Sequence, residues 1–120
     1  MGLDITFLTF ASKDEVAYLR KHQLFSEMVF NQETPPIWSG YTDFLVYPDM
    51  VEAVATWLEL DESEVVQAEA AMSETDFESC CWAGDEDRDL EELLPVYRRV
   101  IQRLRAAIDE TGPLICAWSA

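Results

Sequence analysis

Asp85, Asp87 and Asp89 alternate along the chain with the spacing of the first three oxygen ligands of a calcium loop. The match then fails. Leu90 takes the sixth position, where the turn demands glycine, and Val96 the twelfth, where a bidentate glutamate closes the site. Cys80 and Cys81 are adjacent and Cys116 is distant, so with His22 they form no ligand set at zinc spacing. Neighbouring cysteines rarely reach relaxed disulfide geometry, and reduced thiols are expected. Nucleophilic or acid–base chemistry would fall to His22, Cys80 or Cys81. No G-x-S-x-G, P-loop, G-x-G-x-x-G or H-E-x-x-H pattern surrounds them. The expectation is therefore a chain with no catalytic residue, no metal and no cofactor. A small enzyme of unknown reaction is the third-ranked reading.

Carboxylates dominate instead: 24 Asp and Glu stand against 8 Lys and Arg, for a net charge of -16 in 120 residues. The excess is regional. Residues 1–42 carry -2 and residues 93–120 carry +2, while residues 43–92 hold 17 acids and Arg88 alone among bases. An acidic block on one stretch points to a surface that meets something positive, and the low pI argues against direct nucleic-acid binding. A heavily solvated face is the plainer alternative. At 49% hydrophobic the chain is too apolar for a disordered acidic tail, and its length suits a single compact domain over residues 1–120.

The elements that position these acids are read from periodicity. Leu3 to Phe10 alternates and is rich in Ile, Thr and Phe, which predicts a strand. Ser12 or Asp14 then caps a predicted helix from Glu15 to about Asn31, with Tyr18, His22, Phe25 and Val29 on its buried stripe. On that stripe His22 reads as a hydrogen-bonded core residue. Thr34-Pro35-Pro36 ends the helix in a loop over residues 32–40, and an extended piece follows from Asp43 to Tyr47. Met50 to Leu60 and Glu62 to Met72 read as amphipathic helices. Thr75 to Asp89 loses periodicity and reads as a loop with Trp82 tucked inward. Leu90 to Ile108 holds one apolar stripe for five turns, Gly112-Pro113 ends it, and Leu114 to Trp118 forms a closing strand. The result is an α+β domain whose small sheet includes the N- and C-terminal strands, packed against three or four helices. No apolar run is long enough to span a bilayer, and the opening residues lack a basic leader, so no membrane contact and a cytoplasmic location are expected.

Met1-Gly2-Leu3-Asp4 followed by Glu15-Val16-Ala17-Tyr18-Leu19-Arg20-Lys21 resembles short uncharacterised proteins of phages and bacterial genomes, which begin MGLD and carry an E-V-x-Y-x-R-K helix. This chain departs at Gln23 and Ser26, where those proteins carry Asn and His. The resemblance implies a phage or mobile-element setting and no particular activity.

Composition, charge and missing motifs together suggest an acidic inhibitor of a basic protein, a toxin domain or a nucleic-acid-binding enzyme. An immunity protein neutralising a cognate toxin, most simply a nuclease, comes first; a phage anti-defence protein that mimics DNA comes second. The expected contact face comprises Glu59, Asp61, Glu62, Glu64, Glu69, Glu74, Asp76 and Glu78, with Asp85, Glu86, Asp87 and Asp89. Trp38, Tyr41 or Trp82 would supply the apolar anchor that charge alone does not provide.

Overall fold

The structure, a computed structural model, describes residues 3–30 and 41–119, with Tyr41 and Thr42 described by their backbone. Alternation in the opening residues produces β1 (Asp4–Thr9), with Ile5 and Phe7 buried on one face. A second strand, β2 (Glu15–Arg20), folds back on it, followed by α1 (Gln23–Phe30). The chain continues through β3 (Tyr41–Val46), α2 (Pro48–Trp57), α3 (Glu62–Val66), α4 (Glu74–Ala83), α5 (Leu90–Thr111) and β4 (Leu114–Ser119). The four strands form one antiparallel sheet in the order β2-β1-β4-β3. Thus the two terminal strands are neighbours, Phe7 opposite Cys116, in an α+β fold as the sequence implies.

One face of the sheet carries Ile5, Phe7, Ala17, Leu19, Phe44, Val46, Leu114 and Cys116, all buried. Against it lies α5, whose Leu93, Val96, Tyr97, Val100, Ile101 and Leu104 recur at helical spacing and are shielded from solvent. Pro95 sits in the second turn of α5 and removes one backbone donor there without ending the helix. Phe25 and Val29 from α1, and Val51, Val54 and Ala55 from α2, complete the core. No described helix is long and apolar enough to cross a membrane.

Three expectations are corrected. Residues Glu15 to Arg20 are a strand: the alternation of Val16 and Tyr18 against buried Ala17 and Leu19 is satisfied by pairing with β1. Only Phe25 and Val29 of the supposed stripe are buried residues of α1. Ser12 and Asp14 consequently close a hairpin; Ser12 Oγ donates to Asp14 Oδ2 at 2.7 Å, and Thr9 Oγ1 accepts from Asp14 N–H at 3.0 Å.

The second correction concerns the run from Glu62 to Met72, where α3 stops at Val66. Gln102 of α5 accounts for the stop, since its amide donates to the Val66 carbonyl at 2.9 Å and accepts from Glu69 N–H at 3.2 Å. Third, residues 74–83 are helical. Only Phe77 and Cys81 of α4 are buried, so its apolar stripe is one contact wide and leaves almost no periodic signal. The boundary signals were present nonetheless: Ser73 Oγ accepts from Asp76 N–H at 3.1 Å, Glu74 and Asp76 lie in the first turn, and Gly84 follows the last. With α4, the described helices number five. The expected loop over residues 32–40 lies outside the described residues.

Candidate functional site

The arginines of α5 divide the acidic block in two. Arg98 pairs with Glu64 at 2.9 Å, and Arg105 pairs with Glu52 at 2.7 Å and Glu62 at 2.8 Å. Between them Arg99 and Arg103 share Glu69 and Glu74. Arg99 is the buried member, with 4% of its side chain exposed. It donates to the Met72 carbonyl at 2.8 Å and the Ser73 carbonyl at 3.3 Å, and its guanidinium stacks 4.6 Å from the Phe77 ring centre. Arg103 approaches the same ring at 4.5 Å. The Arg105 hydrogen bond holds Glu62 below the usual carboxylate range; burial opposes such a shift at Glu69, where Arg103 and Arg99 outweigh it.

Four of the acids expected on the contact face, Glu62, Glu64, Glu69 and Glu74, are therefore bound within the molecule. They hold α3 and the turns after it onto α5. Asp61 is also engaged: its carboxylate accepts from Ser63 N–H at 2.9 Å and Glu64 N–H at 3.2 Å, which caps α3, and the Ser63 hydroxyl, aided by these two N–H groups, lowers its pKa. Glu59 is exposed and follows α2 with a φ of 53°.

A second group of acids makes no ion pair with any described residue. Asp76 and Glu78 project from α4, Glu86 and Asp87 from the turn after it, and Asp89, Glu91 and Glu92 surround the start of α5. Asp85 does structural work at this end, accepting from Leu24 N–H at 2.9 Å. The eight acids from Asp76 to Glu92 face Arg88 as the sole cation of that stretch. Among them Trp82 is 58% exposed and Leu90 is 41% exposed. Trp82 thus points outward, contrary to the expected inward tuck, because Phe77 and Cys81 are the α4 residues turned to the core. Trp38 and the side chain of Tyr41 lie outside the described residues.

The acidic end is fixed to the sheet through Gly84 and His22. Asp85 N–H donates to the Lys21 carbonyl at 3.0 Å, drawing Gly84 against the turn that joins β2 to α1. His22 is fully buried behind this contact. Its Nε2 lies 2.9 Å from the Cys80 carbonyl, which only accepts, so Nε2 carries the proton and Nδ1 accepts from the Tyr97 hydroxyl at 2.9 Å. The ring therefore satisfies a carbonyl near the C-terminus of α4 and bridges it to α5. Burial holds its pKa below the ordinary histidine value, against the opposing pull of the Cys80 carbonyl and Asp85.

The neutral ring carries a pH consequence. The unfolded chain binds a proton at His22 that the folded chain resists, so stability rises with pH from the folded pKa up to about 6.5 and is lost as pH falls through that window. His22 is the sole histidine, so unfolding free energies from urea titrations should fall between pH 7.5 and 5.5 by no more than about 1.4 kcal/mol per pH unit. His22→Gln should flatten the slope; an unchanged slope in that variant would assign the titration elsewhere.

The other sequence-level candidates for chemistry are also placed. Cys81 is buried and its thiol is pushed up to about 12 by that burial, so it stays protonated at neutral pH. Cys80 is half-buried, with Arg88 Nη1 at 3.8 Å from its sulfur. Among the described residues, no three His, Cys, Asp or Glu side chains converge as a cation site, the Asp85, Asp87 and Asp89 series included. No protein-family model, curated protein or solved structure matches the chain.

Proposed function

We propose that this chain is an acidic inhibitor that binds and blocks a basic protein, acting as an immunity protein against a cognate toxin whose nuclease cleft is positively charged. The observation that carries this reading is the separation of the acids. One set is neutralised by the α5 arginines, while Asp76, Glu78, Glu86, Asp87, Asp89, Glu91 and Glu92 have no ion-pair partner among the described residues and surround exposed Trp82 and Leu90. Unpaired carboxylates steer a basic partner, raising association toward about 10⁸ M⁻¹s⁻¹ at low salt, and an exposed tryptophan supplies the contact that survives desolvation. A rigid scaffold suits such a role, since a preordered face loses little entropy on binding. The cytoplasm of a bacterial cell, in a phage or mobile-element setting, is the proposed compartment.

The test is capture from the source cell at low salt, followed by association kinetics with the captured protein across a salt series. Selective retention of one basic toxin-like domain is expected, with association slowing as salt rises. Reversing Glu78 and Glu86 to Lys should slow association several-fold at low salt while leaving the urea midpoint in place. Association insensitive to both salt and charge reversal would discard the electrostatic face. Retention of several DNA-binding defence proteins would replace immunity with DNA mimicry.

A further inference from the structure

The outer strand of the sheet at the acidic end is β2, paired on its β1 side. Lys21 N–H donates to the Leu3 carbonyl at 2.6 Å, and bonded pairs in an antiparallel ladder recur every second residue. Leu19 therefore turns its main-chain groups toward Ile5, and Tyr18 turns its N–H and C=O outward. No described residue hydrogen-bonds to those outward groups. Natural sheets blunt such edges with charge or coverage. Here Glu15 and Arg20 stand at the two ends of β2 and a bulge at Val16 interrupts the ladder near its start, while Ala17 to Leu19 keep regular pairing and carry no charge.

A groove of about 290 Å³ runs between β2 and α4. Strand residues 15–18 line one side, and Glu78 and Trp82 stand on the other above Phe77 and Cys81. The ladder with β1 slips between Phe7 and Leu8 and leaves Val16 as a bulge with no β1 partner, and the groove follows the strand through this stretch, lined by residues 15–18 in succession. Such a space between an edge strand and a helix fits an extended chain that adds to the sheet by main-chain hydrogen bonds. Its charge selects the occupant: Glu15 and Glu78 have no ion-pair partner among the described residues, while Arg103 in the groove wall is neutralised by Glu69 and Glu74. The ring of Trp82 offers a face to a guanidinium or ammonium group.

We propose that the β2 edge takes up an extended basic segment of the protein partner as a fifth strand, its arginine or lysine side chains meeting Glu15, Glu78 and Trp82. This rests on the reading of the chain as a binder of a basic protein, and specifies how that protein is held.

The probe is a linear nonapeptide of alternating Arg and Val, titrated at low salt and followed by amide chemical shifts of the full chain. Shifts at Val16 to Tyr18 and at the Trp82 indole are expected. Main-chain N-methylation on one alternate set of peptide residues should weaken binding at least tenfold, and methylation on the other set should be tolerated, because a strand pairs through every second residue. Trp82→Ala and Glu78→Gln should each weaken binding several-fold. Equal binding by both methylated peptides, or shifts confined to residues 85–89, would overturn strand addition while leaving the acidic face intact. Equal binding by a Thr and Val nonapeptide would overturn the basic occupant. No binding of the Arg and Val peptide would overturn strand addition, whereas the acidic-inhibitor reading falls only if capture at low salt also retains no basic protein.

Discussion

Gly84→Ala is expected to remove roughly 4 kcal/mol of stability, a large share of the ~5–15 kcal/mol that holds a small domain folded. Gly84 adopts φ 80° with ψ 179°, a region that only glycine enters without strain. A Cβ there would lie 2.9 Å from both the Lys21 Cβ and the Lys21 carbonyl oxygen, and the carbonyl belongs to backbone that already accepts from Asp85 N–H. Relief would require separating the end of α4 from the turn between β2 and α1. Gly112 provides the control, with φ 88° and no atom within 4 Å of its added Cβ. Gly112→Ala should cost the strain alone, about 2 kcal/mol. Urea midpoints at unchanged denaturant slope would give both numbers. Equal losses at the two glycines would refute the close contact at Lys21.

Arg99→Ala is the second large effect, expected at about 3 kcal/mol. The substitution strips partners from the Met72 and Ser73 carbonyls, removes the cation above Phe77 and leaves Glu69 and Glu74 to Arg103 alone. Arg99→Lys should recover only part of the loss, because one ammonium cannot reproduce a planar fork that reaches two carbonyls and two carboxylates. Salt separates this buried member from the rest of the row. The loss at Arg99 should persist in 1 M NaCl, screened less than an exposed pair. Arg98→Ala breaks a pair whose Glu64 side chain is 53% exposed, so its cost should be under about 1 kcal/mol and fade with salt. Equal costs at Arg98 and Arg99 would mean that burial of Arg99 contributes nothing.

These two substitutions act on opposite sides of the candidate site. Arg99 secures the start of α4 and Gly84 its end, so α4 presents Glu78 and Trp82 from a helix pinned at both termini. The Arg99 row also explains why so large an acidic excess folds without repelling itself apart. Glu52, Glu62, Glu64, Glu69 and Glu74 face cations across α5, and uncompensated charge collects from Asp76 onward, where it is solvated.

Much of this architecture is local chemistry, and local chemistry is legible. The stripe of α5, the stop at Gly112-Pro113, the amphipathic helix with Val51, Val54 and Ala55, and the existence of a strand near each end follow from periodicity and turn residues. Glu15 to Arg20 misled because six residues followed by a true helix satisfy both periods at Phe25 and Val29; pairing with β1 selects the strand, and that partner lies across a hairpin. The α4 helix was hidden for a different reason. It buries two residues, so its existence is written in its caps at Ser73 and Gly84 rather than in its apolar spacing.

The sequence by itself determined the class of fold, the concentration of acids between residues 43 and 92, and the gathering of arginines on one helix, because composition and periodicity are properties of a chain before it folds. Only the tertiary structure decided which carboxylates are spent on arginine and which remain, whether Trp82 faces the core or solvent, and that His22 holds α4 to Tyr97. The reason is physical: an ion pair between residues 25 or more positions apart depends on where α5 lies against the turns before α4. That placement is set by burial over the whole core, and no spacing within one segment encodes it.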